Sequence, residues 1–466
     1  MTGLSGTGNE QGRIVRRGAL VLAALASLAL SACESPLSSS REDPGPVVKL
    51  PEPEAQATSA PDSALDQLLM RESGETAGRL GLPEPGVTRV ALLVPLSGQH
   101  QVAGQALLAG AQMALFEASV DGVELASYDT KGTADGAHDA AADALSDGAR
   151  IILGPLLAPN VAAAAELART RNVPVVAFSN SEQVAGRGVY LIGFAPYDQI
   201  RRILNHAASE NRRRIAVIVP RDAYGDTVLA DTARAAAEAG VEVVRRLSYA
   251  GSPTEWQGMI KDFADFDIRA RALSQERANL RSRGDEGALA ALRRMDNRET
   301  LGEAPYDAVL IAATDPVALK SLSGLLAFYD VDLPAVRILG LEPWDSLGRL
   351  GDEGTLIGAR YPARPLADRR AFAERYAALY GTQPGRIASL GYDAAALAVI
   401  ANRTAGATSP LSDAITNPYG YLGVDGLFRF DGATGLSERG LDVVEITPRG
   451  SIVVDPAPTS FPQPGS

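Results

Sequence analysis

Apolar residues fall along this chain in short unbroken runs, separated by longer stretches in which they recur every three or four positions. Residues 90–94 (VALLV) contain no polar position that would mark an outer face, the pattern of a strand covered on both sides. Similar runs follow at 123–128, 151–154 and 173–178, and a second series at 215–219, 241–247, 308–312 and 336–340. Between them, helical spacing predicts a helix from Val102 with Ala103, Leu107, Gly110, Ala111 and Ala114 on one face. Further helices are predicted over 136–147, 160–170, 227–239 and 368–380. Strands alternating with helices predict parallel sheets with right-handed crossovers, and two successive series predict two α/β lobes.

The rhythm breaks at 190–199, where no helix is predicted, again at 358–362, and near Tyr421. The final stretch, GLFRFDGATGLSERGLDVVEITPRGSIVV, reads as hairpin strands with a turn at Asp431 and Gly432. No internal repeat of about 20–50 residues is present. After the first strand, Pro95 stops the run and Ser97-Gly98 forms a polar loop before the helix. A strand, a Ser/Gly loop and a helix N-terminus can present backbone N–H groups to a small polar or anionic ligand.

The 466 residues give room for about two to three domains. Forty-four basic against 56 acidic residues, a net charge of −12, argue against a general nucleic-acid binder. Cys33 is the single cysteine, which removes both a disulfide framework within the chain and a cysteine-based zinc site. His100, His138 and His206 have no metal-ligand spacing, and Asp262, Asp265 and Asp267 lack the glycine of a calcium loop. The chain carries no phosphate-binding G-x-x-x-x-G-K-[ST], no H-E-x-x-H and, beyond the leader, no G-x-S-x-G. Neither cofactor, metal nor enzymatic activity is therefore expected.

Residues 1–33 read as a targeting segment, with Arg13, Arg16 and Arg17 before a 13-residue apolar core (18–30) too short to span a bilayer. Its end, Leu30-Ser31-Ala32-Cys33, resembles a bacterial lipoprotein signal, which implies cleavage before Cys33 and lipidation of that residue. Glu34 replaces the aspartate that favours inner-membrane retention, so the expectation is an anchor in the outer membrane, facing the periplasm. Residues 34–87, rich in Pro, Ser and Glu at their start, read as a tether.

From Thr88 onward, the segments VALLVPLSG, GPLLAPNVAAAAELARTRNVPVVAFSNS, YLIGFAPYDQ, IAVIVPRDAYGD, YDAVLIAATDPVALKSL and GVDGLFRFDG resemble the type I periplasmic binding protein fold of branched-chain amino-acid receptors. The resemblance implies two α/β lobes with parallel sheets flanked by helices, three hinge crossovers and a ligand cleft. Lobe 1 is placed at 88–196 and 361–420, lobe 2 at 197–360 and 421–455, and a disordered tail at 456–466. In such receptors the loops after the lobe 1 strands grip a ligand carboxylate, which makes Ser97, Gly98, Ser179, Asn180 and Ser181 cleft residues. Tyr224 and Glu342 face them from lobe 2. Ala158 stands where a ligating serine is usual, a loss of roughly 1.5–3 kcal/mol to a bound carboxylate.

Within that superfamily the chain is similar to penicillin-binding-protein activator lipoproteins: it reads as a lipoprotein, its ligand loops are altered, and residues 264–303 interrupt lobe 2. Residues 269–299 hold eight arginines and five acidic residues, with Leu289, Leu292 and Met295 at helical spacing. The helical-repeat domain that often precedes such activators does not fit in 34–87. The resemblance implies a non-enzymatic, lipid-anchored regulator that binds and activates a penicillin-binding protein, a peptidoglycan synthase. The alternative is an ABC-transporter substrate-binding lipoprotein for amino acids or related small solutes.

Overall fold

The computed structural model describes residues 87–119, 122–405 and 410–461. Its first sheet contains β1 (Thr88–Val94), β2 (Val123–Asp129), β3 (Ala149–Leu153), β4 (Val175–Ala177) and β5 (Val189–Leu191). All are parallel, in the order β2-β1-β3-β4-β5. Every residue of β1 is buried, as its unbroken apolar run requires. Arg89 at its start is also buried, and its guanidinium donates to Glu124 and to the Asp147 carbonyl. Helices α1 (Gln101–Ala118), α2 (Ala134–Ser146) and α3 (Ala158–Thr170) connect these strands.

The chain then crosses into α4 (Pro196–Ser209) and a second sheet holding β6 (Arg214–Pro220), β7 (Glu242–Tyr249), β8 (Ala308–Ile311), β9 (Arg337–Leu339) and β10 (Arg360–Ala363). Helices α5 (Ala223–Ala239), α6 (Trp256–Phe263), α7 (Phe266–Arg283), α8 (Glu286–Met295) and α9 (Pro316–Phe328) belong to this part of the chain. It returns through α10 (Leu366–Tyr380) and α11 (Ala388–Ala405). Helix α11 lies so close to α1 that a Cβ on Gly110 would stand 1.9 Å from the Ala388 carbonyl oxygen. A Cβ on Gly391 would stand 2.1 Å from that of Leu107. These two glycines set the contact distance of the helix pair.

A small antiparallel sheet follows, β11 (Tyr421–Gly423), β12 (Gly426–Phe430) and β13 (Ser437–Arg439), before β14 (Asp442–Thr447) and β15 (Gly450–Asp455) complete the second sheet. The second sheet runs β15-β14-β10-β9-β8-β6-β7, with β14 antiparallel to β10. The architecture is thus α/β and two-lobed, with each lobe built on a sheet flanked by helices.

Several boundaries differ from those read in the sequence. The break at 190–199 contains β5 and the start of α4, because Pro196 suits the first helical turn, where its missing N–H costs nothing. Residues 361–363 pair with β14 in the second sheet, so lobe 2 reaches Ala363 instead of ending at 360. Residues 421–439 belong with lobe 1: Phe428 and Phe430 enter the cluster of Val90, Leu92, Ile151 and Leu397. The third crossover accordingly lies at 440–441, not near Tyr421. Residues 456–461, placed in a disordered tail, pack on the body instead. Phe461 is buried beneath the Arg429 guanidinium at 4.5 Å, and the Ala457 N–H donates to Asp442. Within the insertion, Leu273, Leu280 and Ala288 are the buried residues of α7 and α8, together with Arg269, while Leu289 is exposed.

Candidate functional site: the cleft between the lobes

Residues 192–195, 364–365 and 440–441 carry the chain from one lobe to the other. The loops at the carboxyl ends of the parallel strands are where open α/β sheets hold ligands, and all seven cleft candidates lie on such loops or on the first turn beyond them.

The β1–α1 loop is already filled. Asp129, the last residue of β2, accepts the Leu96 N–H at 2.8 Å, the Ser97 N–H at 3.2 Å, the Lys131 N–H at 2.8 Å and the Ser97 hydroxyl at 2.6 Å. Burial would raise this carboxyl's pKa, but these hydrogen bonds outweigh it and hold Asp129 below the usual range. The sequence assigned this loop to an external anion; a carboxylate of the protein itself takes the Ser97 donors. Gly98 is exposed and makes the turn at φ +78°.

After β4, Ser179 is buried and its hydroxyl oxygen accepts the Ser181 N–H at 3.2 Å, so this loop closes on itself. Asn180 is exposed. The first crossover passes directly over the loop: a Cβ on Gly193 would lie 2.4 Å from the Ser179 carbonyl oxygen. Ala158 is the first residue of α3, whose N-cap Leu157 makes no side-chain cap. No neighbouring side chain replaces the missing hydroxyl as a cap there.

On lobe 2, Tyr224 sits in the first turn of α5 and Glu342 begins the 3-10 turn Glu342–Ser346 after β9. The Glu342 N–H donates to Gln199 Oε1 at 3.0 Å, which ties the turn to α4. Its carboxylate lies 3.3 Å from Arg364 Nε and 3.3 Å from Arg386 Nη1, while Arg364 Nη1 bonds Asp425 at 2.9 Å. Burial first, then the Glu342 charge, push the Tyr224 phenol well above its ordinary pKa, against the opposing pull of Arg386. Glu342 of lobe 2 and Arg386 of lobe 1 are therefore brought together, with Tyr224 within the field of both charges.

The four charges Arg364, Arg386, Glu342 and Asp425 sum to zero. Their side-chain exposures are 7 %, 49 %, 3 % and 0 %, so the charge this cluster shows to solvent is the Arg386 guanidinium. Sequence reasoning missed both arginines and Asp425. Each is an isolated charge in a loop, meeting its partners from 22 to 61 positions away, and no local pattern signals that.

Three further ion pairs join the lobes: Arg201 on α4 with Glu438 at 3.1 Å, Arg234 on α5 with Glu182 at 2.9 Å, and Arg369 on α10 with Asp345 at 2.5 Å. Partly exposed pairs of this kind contribute roughly 0–1 kcal/mol each. The crossovers also carry buried charge. Arg439 donates to the Ile192 carbonyl and stacks 4.7 Å from the Phe194 ring centre. Asp393 accepts the Val424 and Asp425 N–H groups at 2.8 and 3.3 Å. Asp198 on α4 is buried 3.6 Å from Arg201, and burial pushes its carboxyl up to about 7.

Among the described residues, no group of three or more His, Cys, Asp or Glu is placed to hold a metal ion. No helix among them is long and apolar enough to cross a membrane. Cys33 lies outside the described residues.

The sequence pattern of the periplasmic binding protein family matches residues 87–450. No curated protein matches the chain. Among solved structures, the chain is similar to a protein described as a branched-chain amino acid ABC transporter from Rhodospirillum rubrum. The TM-score is 0.61 at 18% identity, over 79% of this chain and 100% of that one. It is also similar to an ABC transporter substrate-binding protein from Desulfitobacterium hafniense in complex with Leu (TM-score 0.53, 17% identity, 79% and 99% covered). A third is a solute-binding protein of an ABC transporter from Rhodopseudomonas palustris, in complex with 3,4-dihydroxybenzoic acid (TM-score 0.52, 17% identity, 81% and 98% covered). At these identities the likeness speaks to the fold, and it agrees with the two lobes and three crossovers described above. With the family pattern spanning both lobes, the chain belongs to the periplasmic binding protein family.

Proposed function

We propose that the protein is a non-enzymatic solute-binding protein of the cell envelope, which takes a small solute between its lobes and delivers it to an ABC importer. The observation that carries this reading is the family match across both lobes, with Glu342 of one lobe meeting Arg386 of the other. Two proteins of the same fold hold leucine and 3,4-dihydroxybenzoic acid. Anchoring through a lipid on Cys33, in the outer membrane, belongs to this proposal. The test is thermal unfolding of the full chain against a panel of amino acids and organic acids. A ligand at about 100 times its Kd adds about 2.7 kcal/mol of stability, a shift of several degrees. A panel that leaves the melting temperature unchanged at millimolar concentration contradicts the reading.

A second reading, a regulator that docks on a penicillin-binding protein, is favoured by one specific observation: Asp129 already occupies the loop that should grip a ligand carboxylate. The docking surface would be α7 and α8, which expose Ile268 and Leu289 as well as Arg281, Arg293 and Arg294. Deleting residues 264–303 would remove the buried Leu273, Leu280 and Arg269, so charge reversal is the cleaner test. Retention of a bifunctional peptidoglycan synthase by the full chain, lost on reversing Arg281, Arg293 and Arg294 to Glu, is the result this reading expects. Equal retention by the reversed chain removes this surface from the account.

A further inference from the structure

A cavity of about 220 Å³ opens beside the first crossover, and none of the seven cleft candidates lines it. Leu191 on β5 and Leu436, Ser437 and Glu438 at β13 form its lobe 1 wall; Tyr197, Asp198 and Arg201 on α4 and Glu238 on α5 form its lobe 2 wall. Two polar groups of this wall are buried with no hydrogen-bond partner among the described residues, Asp198 Oδ2 and the Ser437 hydroxyl. The Asp198 side chain is 5 % exposed, and Arg201 stands 3.6 Å from its Oδ1, too far for a hydrogen bond. Arg201 is also shared with Glu438 at 3.1 Å. Arg439, the other cation acting on Asp198, is drawn to Asp393 and Asp425 as well. The buried carboxylate is therefore only partly compensated.

The rest of the wall adds to the imbalance. Glu182, Glu238 and Glu438 stand with Asp198 around the cavity, against Arg201 as the one guanidinium lining it. From outside, Arg234 reaches Glu182 at 2.9 Å and Asp231 at 3.2 Å, and Arg429 reaches Glu438 at 2.7 Å. Glu238 receives the Tyr197 hydroxyl. Counting Asp231, five carboxylates meet three guanidiniums, a local excess of two negative charges. Among the described residues no group of three or more His, Cys, Asp or Glu is placed to hold a metal ion, so the cation that fits is an organic one. Leu191, Ala195 and Leu436 supply an apolar surface for its body. The volume is several times that of a single water, about 30 Å³.

We propose that this hinge cavity binds a small primary amine in its ammonium form, the N–H donors on the Asp198 carboxylate and the Ser437 hydroxyl and the hydrocarbon against Leu191, Ala195 and Leu436. An ammonium has three donors and no acceptor, which matches a wall whose unpaired groups are a carboxylate and a hydroxyl. A neutral alcohol leaves the Asp198 charge uncompensated, and an anion meets the excess of carboxylates. The walls come from both lobes, so the bound amine joins α4 to β13 beside the Arg201–Glu438 pair.

The test is isothermal titration of the full chain with butylamine and putrescine, against butanol and butanoate, at pH 8, above the Asp198 value of about 7. The expected result is that at least one amine binds about tenfold or more tighter than the alcohol and the acid. Asp198→Asn, which keeps the side-chain volume and removes the buried charge, should weaken that amine by a similar factor, and Ser437→Ala by less. Melting temperatures of both variants, read alongside, separate lost binding from lost fold. Butanol or butanoate binding as tightly as the amines overturns the inference. Undiminished amine binding by both variants places the amine elsewhere and overturns the assigned site. Binding of neither amine at millimolar concentration overturns the inference and leaves the reading of the cleft untouched.

Discussion

Replacing Arg364 is the perturbation that the structure prices most clearly. Its side chain is 7 % exposed and holds Asp425, 0 % exposed, at 2.9 Å and Glu342, 3 % exposed, at 3.3 Å. Arg364 follows β10 directly, so the second crossover, the turn between β11 and β12 and the lobe 2 cleft loop all converge on one guanidinium. Arg364→Gln leaves Asp425 buried without its guanidinium and Glu342 with Arg386 alone, and breaking a buried pair in this way costs about 3–5 kcal/mol. For a cooperative unit of about 370 residues, an unfolding entropy of roughly 0.8 kcal/mol/K converts that to a fall of about 4–6 °C in melting temperature. Calorimetry of the parent and variant at neutral pH reads it directly. Arg364→Met with Asp425→Leu removes charge from both sides and should recover most of the loss, since an apolar replacement of a buried pair is often near neutral. A Gln variant within about 1 °C of the parent would refute the reasoning, because the two carboxylates would then not depend on Arg364.

The remaining predictions concern the hinge acid, the first cleft loop and the helix contact. Asp198 has a native pKa raised to about 7 by burial, so the native state holds its proton more tightly than the unfolded chain. Its stability contribution is complete below the unfolded value near 4 and is lost as pH rises through about 7. Asp198→Asn should therefore raise the melting temperature at pH 8, with a gain that shrinks steadily toward pH 4; a pH-independent difference contradicts the assignment. Asp129→Ala strips the acceptor from three N–H groups and the Ser97 hydroxyl and should cost about 1–2 kcal/mol, read by urea unfolding. Gly110→Val drives a side chain into the Ala388 carbonyl and should destabilise by about 3 kcal/mol, whereas an exposed site such as Gly258 should tolerate Ala.

The fold was legible wherever a strand was buried on both faces. Residues 90–94, 151–153 and 215–219 are unbroken apolar runs, and a run of that kind has little else to become in a chain where helices separate each from the next. Legibility failed where position depends on partners distant in sequence. Phe428 and Phe430 alternate as any hairpin strand would, and nothing in their own stretch says which lobe receives them. Tyr361 and Pro362 looked like a break because Pro carries no N–H, yet β10 tolerates it in a seven-stranded sheet. The cleft divides in the same way. Ser97, Ser179 and Tyr224 are visible as polar residues after strands, and the structure puts all three on loops at strand ends or the turn beyond. That Asp129 would spend Ser97, or that Arg364 and Arg386 would enclose Glu342, depends on contacts 22 to 44 residues apart and was not readable from local spacing.

The central claim is that ion pairs across this cleft join the two lobes. Glu182 with Arg234, Asp345 with Arg369 and Glu342 with Arg386 each span the gap. Spin labels at Lys131→Cys on lobe 1 and Arg349→Cys on lobe 2, in a chain with Cys33 replaced by Ala, report the lobe separation by pulsed dipolar spectroscopy. The account predicts a single narrow distance for the ligand-free chain at low salt. That distance should lengthen and broaden when Arg234, Arg369 and Arg386 are together replaced by Gln. A broad distribution already present in the parent, and unchanged in the triple variant, would contradict it.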